Sequence, residues 1–280
     1  MTTSMTSTLR FTKHHGAGND FLVLVDPDGS GPLPVGLVQA LCDRRTGVGA
    51  DGVIRVVAGW AGADVGMVLQ NADGGEAEMS GNGIRCLAQA AVDAGLVAPP
   101  RFTVDTGAGL RTVEYVSGPV SGAAEASVDL GAVTLGPDQP QPFEDRHVRT
   151  VDVGNPHLVM LGPDPAEVDV AGIGAQLQDV HAGGVNVEFV CLGPEEGAVT
   201  LRVFERGVGE TRACGTGSAA AAAAARSWGL VDDEVVVHNP GGTLVVTLEE
   251  VAGGLQARLR GPVRRIAAVE VSADELLDGW

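Results

Sequence analysis

Short runs of β-branched and aromatic residues, Phe21 to Val25, Val53 to Val57, Leu158 to Leu161 and Leu201 to Phe204, alternate with Gly, Pro and Asp turns, which predicts strands. Two stretches break that pattern with helical composition. The first runs from about Gly83 to Ala94 with Gly95 beyond it, the second from Gly217 to Trp228 with Gly229 beyond it, so each ends on a glycine suited to a left-handed C-terminal cap. The second contains seven consecutive alanines, Ala219 to Ala225, a composition of high helix propensity. A helix small and apolar all round has no solvent face, so both are expected at the centre of a wrap of strands.

The two halves of the chain repeat one another. Asn71-Ala-Asp-Gly-Gly-Glu-Ala-Glu-Met-Ser80-Gly-Asn-Gly aligns without a gap on Glu205-Arg-Gly-Val-Gly-Glu-Thr-Arg-Ala-Cys214-Gly-Thr-Gly, which places Cys214 134 residues after Ser80. Gly18-Asn19 matches Gly154-Asn155 and Gly49-Ala-Asp51 matches Gly184-Val-Asn186, at offsets of 136 and 135. Single glycine motifs are weak in a chain holding 41 glycines, but a shared offset is not. The reading is an α/β (α+β) fold of two pseudo-symmetric half-barrels, each a curved, mostly antiparallel sheet around a central helix, with the active site in the cleft between them. The Gly/Ser/Pro-rich segment from Ser117 to Ala124 precedes the crossover, and a last strand after Gly261-Pro262 returns to the first half. The domains are therefore expected at 1–125 plus 264–280 and at 126–263.

Charge and composition narrow the function. Acidic residues outnumber basic ones 36 to 18, giving a net charge of −18, no basic stripe is present and aromatics are 4% of the chain, which disfavours nucleic acid and anionic membranes as partners. Cys42, Cys86, Cys191 and Cys214 form no CxxC pair, which points to free thiols in the cytoplasm rather than to disulfides or zinc. Met1 to Arg10 is polar without an apolar signal core, and no stretch approaches 18 apolar residues. Lys13 is the only lysine and follows no phosphate loop, so a P-loop NTPase is excluded and a pyridoxal Schiff base is disfavoured. Amino-acid chemistry here would need no cofactor.

Ser80 and Cys214 each precede Gly-x-Gly at a helix start. First-turn N–H groups and the positive helix end bind anions, and two such ends clamping an α-carboxylate would stabilise the carbanion formed by α-proton removal. The same helix end is expected to lower the Cys214 pKa and favour a thiolate base. Inversion needs one group on each face of the carbon, which a duplicated fold supplies.

Six motifs in order, Gly16-Ala-Gly-Asn-Asp-Phe21, Gly47-Val-Gly-Ala-Asp51, Asn71-Ala-Asp-Gly74, Gly154-Asn-Pro-His157, Gly184-Val-Asn-Val-Glu188 and the Glu205 to Gly217 segment, resemble the diaminopimelate epimerase family from about Phe11 to Val271. The resemblance implies a cytoplasmic isomerase of lysine and peptidoglycan-precursor biosynthesis. It would be a homodimer that takes a small amino acid and binds neither pyridoxal phosphate nor a metal. It further implies that Asn19, Asn71, Asn155 and Asn186 bind the zwitterionic substrate, that Glu205 and Arg206 help hold its ends, and that Gly81, Asn82, Gly215 and Thr216 hold a carboxylate. Cys214 would be one acid/base with Glu205 beside it, and Ser80 stands at the other acid/base position, which His157 would approach.

The family pattern has cysteine where this chain has Ser80. A serine hydroxyl does not persist as an alkoxide near neutral pH, and Cys86, almost two turns into the helix, is expected to pack inside. Three accounts stand: an epimerase using Ser80 with His157 or water as a relay, a dehydratase or other isomerase of the same fold using Ser80 and Cys214, and a catalytically impaired amino-acid-binding protein.

Blander readings cover the rest. Cys42 and Cys191 are expected in the core. His14 and His15 are adjacent on a strand and should face opposite ways, unable to chelate one metal. His147, His181 and His238 have no carboxylate partner at a recognisable spacing and read as surface residues, and Gly107-Ala-Gly109 reads as a hairpin turn.

Overall fold

The computed structural model describes residues 8–29, 31–118, 120–138, 147–181 and 183–278, so most of the polar N-terminal leader lies outside the described residues. The chain separates into two compact units, one ending at Ala126 and resuming at Pro262, the other spanning Ser127–Gly261.

In unit one the strands are β1 (Thr8–Gly16), β2 (Asn19–Val25), β3 (Gly52–Ala58), β4 (Val65–Asn71), β5 (Glu76–Ala77), β6 (Arg101–Thr106) and β7 (Gly109–Ser117), with helices α1 (Val35–Cys42) and α2 (Gly81–Asp93). β8 (Ala123–Asp138) carries the chain into unit two. There follow β9 (His147–Asp152), β10 (Pro156–Leu161), α3 (Val170–Val180), β11 (Asn186–Leu192), β12 (Ala198–Glu205), β13 (Gly209–Thr211), α4 (Gly215–Ser227), β14 (Glu234–Asn239) and β15 (Gly242–Val251). β16 (Gly254–Ser272) pairs with β15 and then, after Pro262, with β1, and α5 (Ala273–Asp278) ends the described chain.

The duplication is visible strand by strand. In unit one β1–β2 is antiparallel, β2–β3 parallel, β3–β4 antiparallel, β4–β6 parallel and β6–β7 antiparallel. Unit two repeats the series: β9–β10, β11–β12 and β14–β15 are antiparallel, β10–β11 and β12–β14 parallel. Each parallel pair needs a crossover, and helices supply it: α1 and α3 join the first, α2 and α4 the second. The turn between β6 and β7 is the Gly107 hairpin, Thr106 pairing Gly109.

α2 packs on β1, β2, β3, β4 and β7, and every residue from Gly81 to Ala91 is buried, so the sheet must curve around it. In unit two α4 packs on β9, β10, β11, β12, β14 and β15. Ala219 to Ala225 are all fully buried, and methyl side chains let strands approach on every side. With no space for more atoms, Ala222→Leu is expected to destabilise the protein by about 1–3 kcal/mol, read as a lower urea midpoint.

Both helices begin two residues earlier than the pattern of apolar positions suggests, because Ser80 and Cys214 themselves are the N-caps. Gly95 and Gly229 follow the C-caps at φ +71°, the left-handed conformation expected of them. α3 was not legible in sequence: Gly172 and Gly174 weaken its pattern, and Gly174 is bare because a Cβ there would sit 2.4 Å from the Phe204 ring. No helix among the described residues is long and apolar enough to cross a membrane.

Candidate active site

In unit one, Ser80 holds an extended backbone (φ −136°, ψ 124°) and its Oγ accepts from the Gly83 N–H at 3.0 Å. The Asn82 amide donates to Asn19 Oδ1 at 3.3 Å, and Asn19 Nδ2 donates to Asp51 Oδ2 at 2.7 Å. Arg44 bridges Asp51 and Asp20, and Lys13 Nζ lies 2.9 Å from Asp20 and donates to the Gly49 carbonyl. The one lysine is therefore committed to an ion pair. Asn71 ends β4 in a turn closed by its own carbonyl and Gly74, and the Ala72 N–H reaches the Asp51 carbonyl at 3.0 Å.

Arg85 is a component that pattern reading missed, although a guanidinium within a helix expected to be buried was the available signal. Fully buried, it donates to the Gly81 carbonyl at 2.8 Å and to Asn82 Oδ1 at 2.7 Å, and burial pushes it down to about 10, still a cation at neutral pH. It braces the first turn of α2 beside Ser80.

Unit two builds the equivalent turn with different charges. Cys214 (φ −122°, ψ 121°) caps α4, its Sγ accepting from the Gly217 N–H at 3.4 Å and lying 3.5 Å from Thr216 Oγ1. Asn155 Nδ2 donates to Thr216 Oγ1 at 3.4 Å, the counterpart of the Asn19–Asn82 contact. His157 places Nε2 2.9 Å from Asn155 Oδ1 and Nδ1 2.7 Å from Glu188 Oε1. Asn186 Oδ1 accepts from the Arg206 N–H at 3.0 Å, while the exposed Arg206 side chain reaches the Gly183 carbonyl. Glu205 accepts from Thr211 and from the Cys214 thiol, and burial raises its carboxyl above the ordinary value.

Cys214 corrects an expectation. Its thiol lies well above, not below, the ordinary value: burial removes water from the charged form, and the Glu205 and Glu188 carboxylates oppose a thiolate more strongly than the Gly217 and Thr216 contacts favour one. The resting group is a thiol that carries its proton.

Cys42 and Cys86 are buried, and burial pushes both up to about 12. Since the folded state holds these protons and an unfolded chain releases them near 9.0, stability is full below that pH and falls as pH climbs toward 12. Urea midpoints are expected to be level to about pH 8 and to drop steadily above about pH 9, with a shallower drop in Cys86→Ala.

Two bland readings need revision. Cys191 is half-buried, because β11 leaves the core over its last two residues. His238 does have a carboxylate partner, Glu195 at 2.8 Å, brought close by tertiary folding across 43 residues that no local spacing reveals. His147 stacks on Trp228, and the His181 ring bonds the Leu177 carbonyl. His14 is fully buried against Gln89 and Thr12.

The chain matches the family model described as diaminopimelate epimerase over residues 11–135 and 149–266. It is 41% identical to the diaminopimelate epimerase of Thermobifida fusca across 96% of this chain and 100% of that protein. It is 40% identical to the diaminopimelate epimerase of Mycobacterium tuberculosis strain H37Rv across 96% and 98%. Among solved structures, a PhzF-family phenazine biosynthesis protein of Bacillus anthracis superposes with a TM-score of 0.75, covering 95% of this chain and 99% of that one at 16% identity, a likeness of fold alone.

Proposed function

The chain belongs to the diaminopimelate epimerase family, and from that membership we propose that it interconverts LL- and meso-2,6-diaminopimelate without pyridoxal phosphate, supplying lysine and peptidoglycan precursors. The observation that carries the reading is the pair of equivalent helix starts, one capped by the hydroxyl of Ser80 and the other by the thiol of Cys214. The two units serve as the N- and C-terminal epimerase halves, each contributing one helix start and its capping side chain.

The α-carboxylate is held by the first-turn N–H groups at Gly81, Asn82, Gly215 and Thr216, where oriented donors and the helix ends stabilise the negative charge that builds on deprotonation. Asn19, Asn71, Asn155 and Asn186 fix the zwitterion, and Glu205 and Arg206 hold its ends. Cys214, protonated at rest, delivers its proton to the carbanion, and the thiolate left behind regains a proton from solvent water, a transfer that the adjacent Glu205 carboxylate relays. On the other face the α-proton leaves through the Ser80 hydroxyl to water, so the serine passes a proton without resting as an alkoxide. His157, expected beside Ser80, instead has both ring nitrogens engaged by Glu188 and Asn155 in the half that carries Cys214.

A dehydratase and a silent binding protein are not favoured, because the relatives at about 40% identity bear the epimerase name. Four unpaired thiols suit the cytoplasm. The homodimer rests on the family resemblance, and a twofold mass in solution checks it. Chiral chromatography of LL-diaminopimelate incubated with the protein tests the main reading: meso product is expected, and unchanged LL substrate would remove it.

A further inference from the structure

Glu188 has no exposed surface, yet it is a carboxylate on a strand. One oxygen faces His157 Nδ1, and the other, Oε2, is buried without a hydrogen-bond partner among the described residues. A buried carboxylate is costly unless it is paired and hydrogen-bonded, and His157 satisfies one of its two oxygens. Two routes connect it to Cys214. The first is a chain of hydrogen bonds running from Glu188 through His157, Asn155 and Thr216 to the sulfur, at 2.7, 2.9, 3.4 and 3.5 Å. The second is through space. A Cβ on Gly217 would lie 2.8 Å from Glu188 Oε1 and 3.3 Å from Cys214 Sγ, so the bare backbone of the first turn of α4 is what lets carboxylate and thiol share one region.

The duplicated scaffold does not require this acid. The matching position in unit one is Ile54, whose Cδ1 would lie 3.1 Å from a Cβ on Gly83 as Glu188 lies against Gly217, and the buried charge bracing α2 there is the cation Arg85. Glu188 is thus particular to the half that carries the thiol.

We propose that Glu188 is a positioning residue for the Cys214 acid/base, locking His157 and Asn155 so that Thr216 is held against the sulfur. The proposal rests on the reading of Cys214 as an acid/base and adds a group to it. The charged or titratable groups around the sulfur are Glu205 from β12, Glu188 from β11, His157 from β10 and the positive end of α4 itself. Burial and the two acids favour the thiol and the helix end opposes them, in agreement with the raised Cys214 value.

Glu188→Gln removes the charge while leaving an oxygen to accept from His157. Alkylation of Cys214 by iodoacetamide, followed peptide by peptide across pH, should show its midpoint moving down by about one pH unit. Turnover of diaminopimelate should fall on the order of tenfold in kcat with KM little changed, and Glu188→Asp should restore the alkylation midpoint. A Gln variant that keeps both the midpoint and kcat of the unaltered protein overturns the proposal. If that variant does not fold, the unaltered protein still decides: an exchange-protected, low-field imidazole proton assigned to His157 is expected by NMR, and its absence overturns the locked ring. Alkylation and NMR read the site whether or not diaminopimelate turns over, so failure of the functional reading is seen separately, in the unaltered protein's lack of product.

Discussion

Cys214→Ala is expected to reduce α-proton exchange and isomer interconversion by on the order of 10²–10⁴-fold, the usual contribution of a positioned proton-transfer group. The fold should survive. The thiol is only a long acceptor for the Gly217 N–H, at 3.4 Å, and the buried alanines of α4 keep their packing. Circular dichroism and the urea midpoint should therefore stay close to those of the unaltered protein while turnover collapses. Because the thiol rests protonated, the loss should be largest for the step in which it donates, and binding of diaminopimelate, held by helix N–H groups and asparagines, should remain within a few-fold by calorimetry. Retention of exchange in this variant would transfer the proton to another group and contradict the role given to Cys214.

Ser80→Cys is expected to act in the opposite direction, raising kcat by on the order of 10²-fold or more. The argument is one of acidity. A hydroxyl can pass a proton but cannot hold the negative charge between steps, whereas a thiolate can. Unit two demonstrates that a cysteine fits this cap: Cys214 occupies nearly the same backbone conformation as Ser80 and caps the residue three further on, as Ser80 does. The electrostatics of unit one are also more favourable to an anion, since the buried guanidinium of Arg85 braces that turn where carboxylates surround Cys214. A thiol placed at residue 80 should accordingly be alkylated at lower pH than Cys214. Ser80→Ala, lacking both the proton path and the cap, should lose activity and about 0.5–2 kcal/mol of stability. Equal turnover in the Ser and Cys forms would mean that the face served by residue 80 does not limit the reaction.

Much of the architecture was legible because duplication writes itself into spacing. The shared offsets of Ser80 and Cys214, Asn19 and Asn155, and Asp51 and Asn186 correspond to two units with the same series of parallel and antiparallel pairings. The central helices announced themselves through small residues and their terminal glycines. α3 did not, because its glycines serve close packing and dilute the helical pattern. The two helix-capping residues could be named from motifs, but the electrostatics around them could not. A helix start by itself argues for a thiolate, and only the burial of Cys214 with Glu205 and Glu188 reverses the sign. Both acids come from neighbouring strands, and their approach to the sulfur depends on pairings such as Glu188 with Val203 that no local window contains. Arg85 was hidden for a related reason: its partners are a helix carbonyl, an amide and the carbonyl of Pro262, 177 residues away.

Deuterium incorporation tests the central claim most directly, that a hydroxyl and a thiol exchange protons with the two faces of one α-carbon. LL-diaminopimelate incubated with the unaltered protein in deuterated water should yield meso product carrying a single deuterium at the inverted carbon, from the earliest detectable turnover. Binding of the substrate with no deuterium in either isomer, or inversion that retains the original hydrogen, would contradict it.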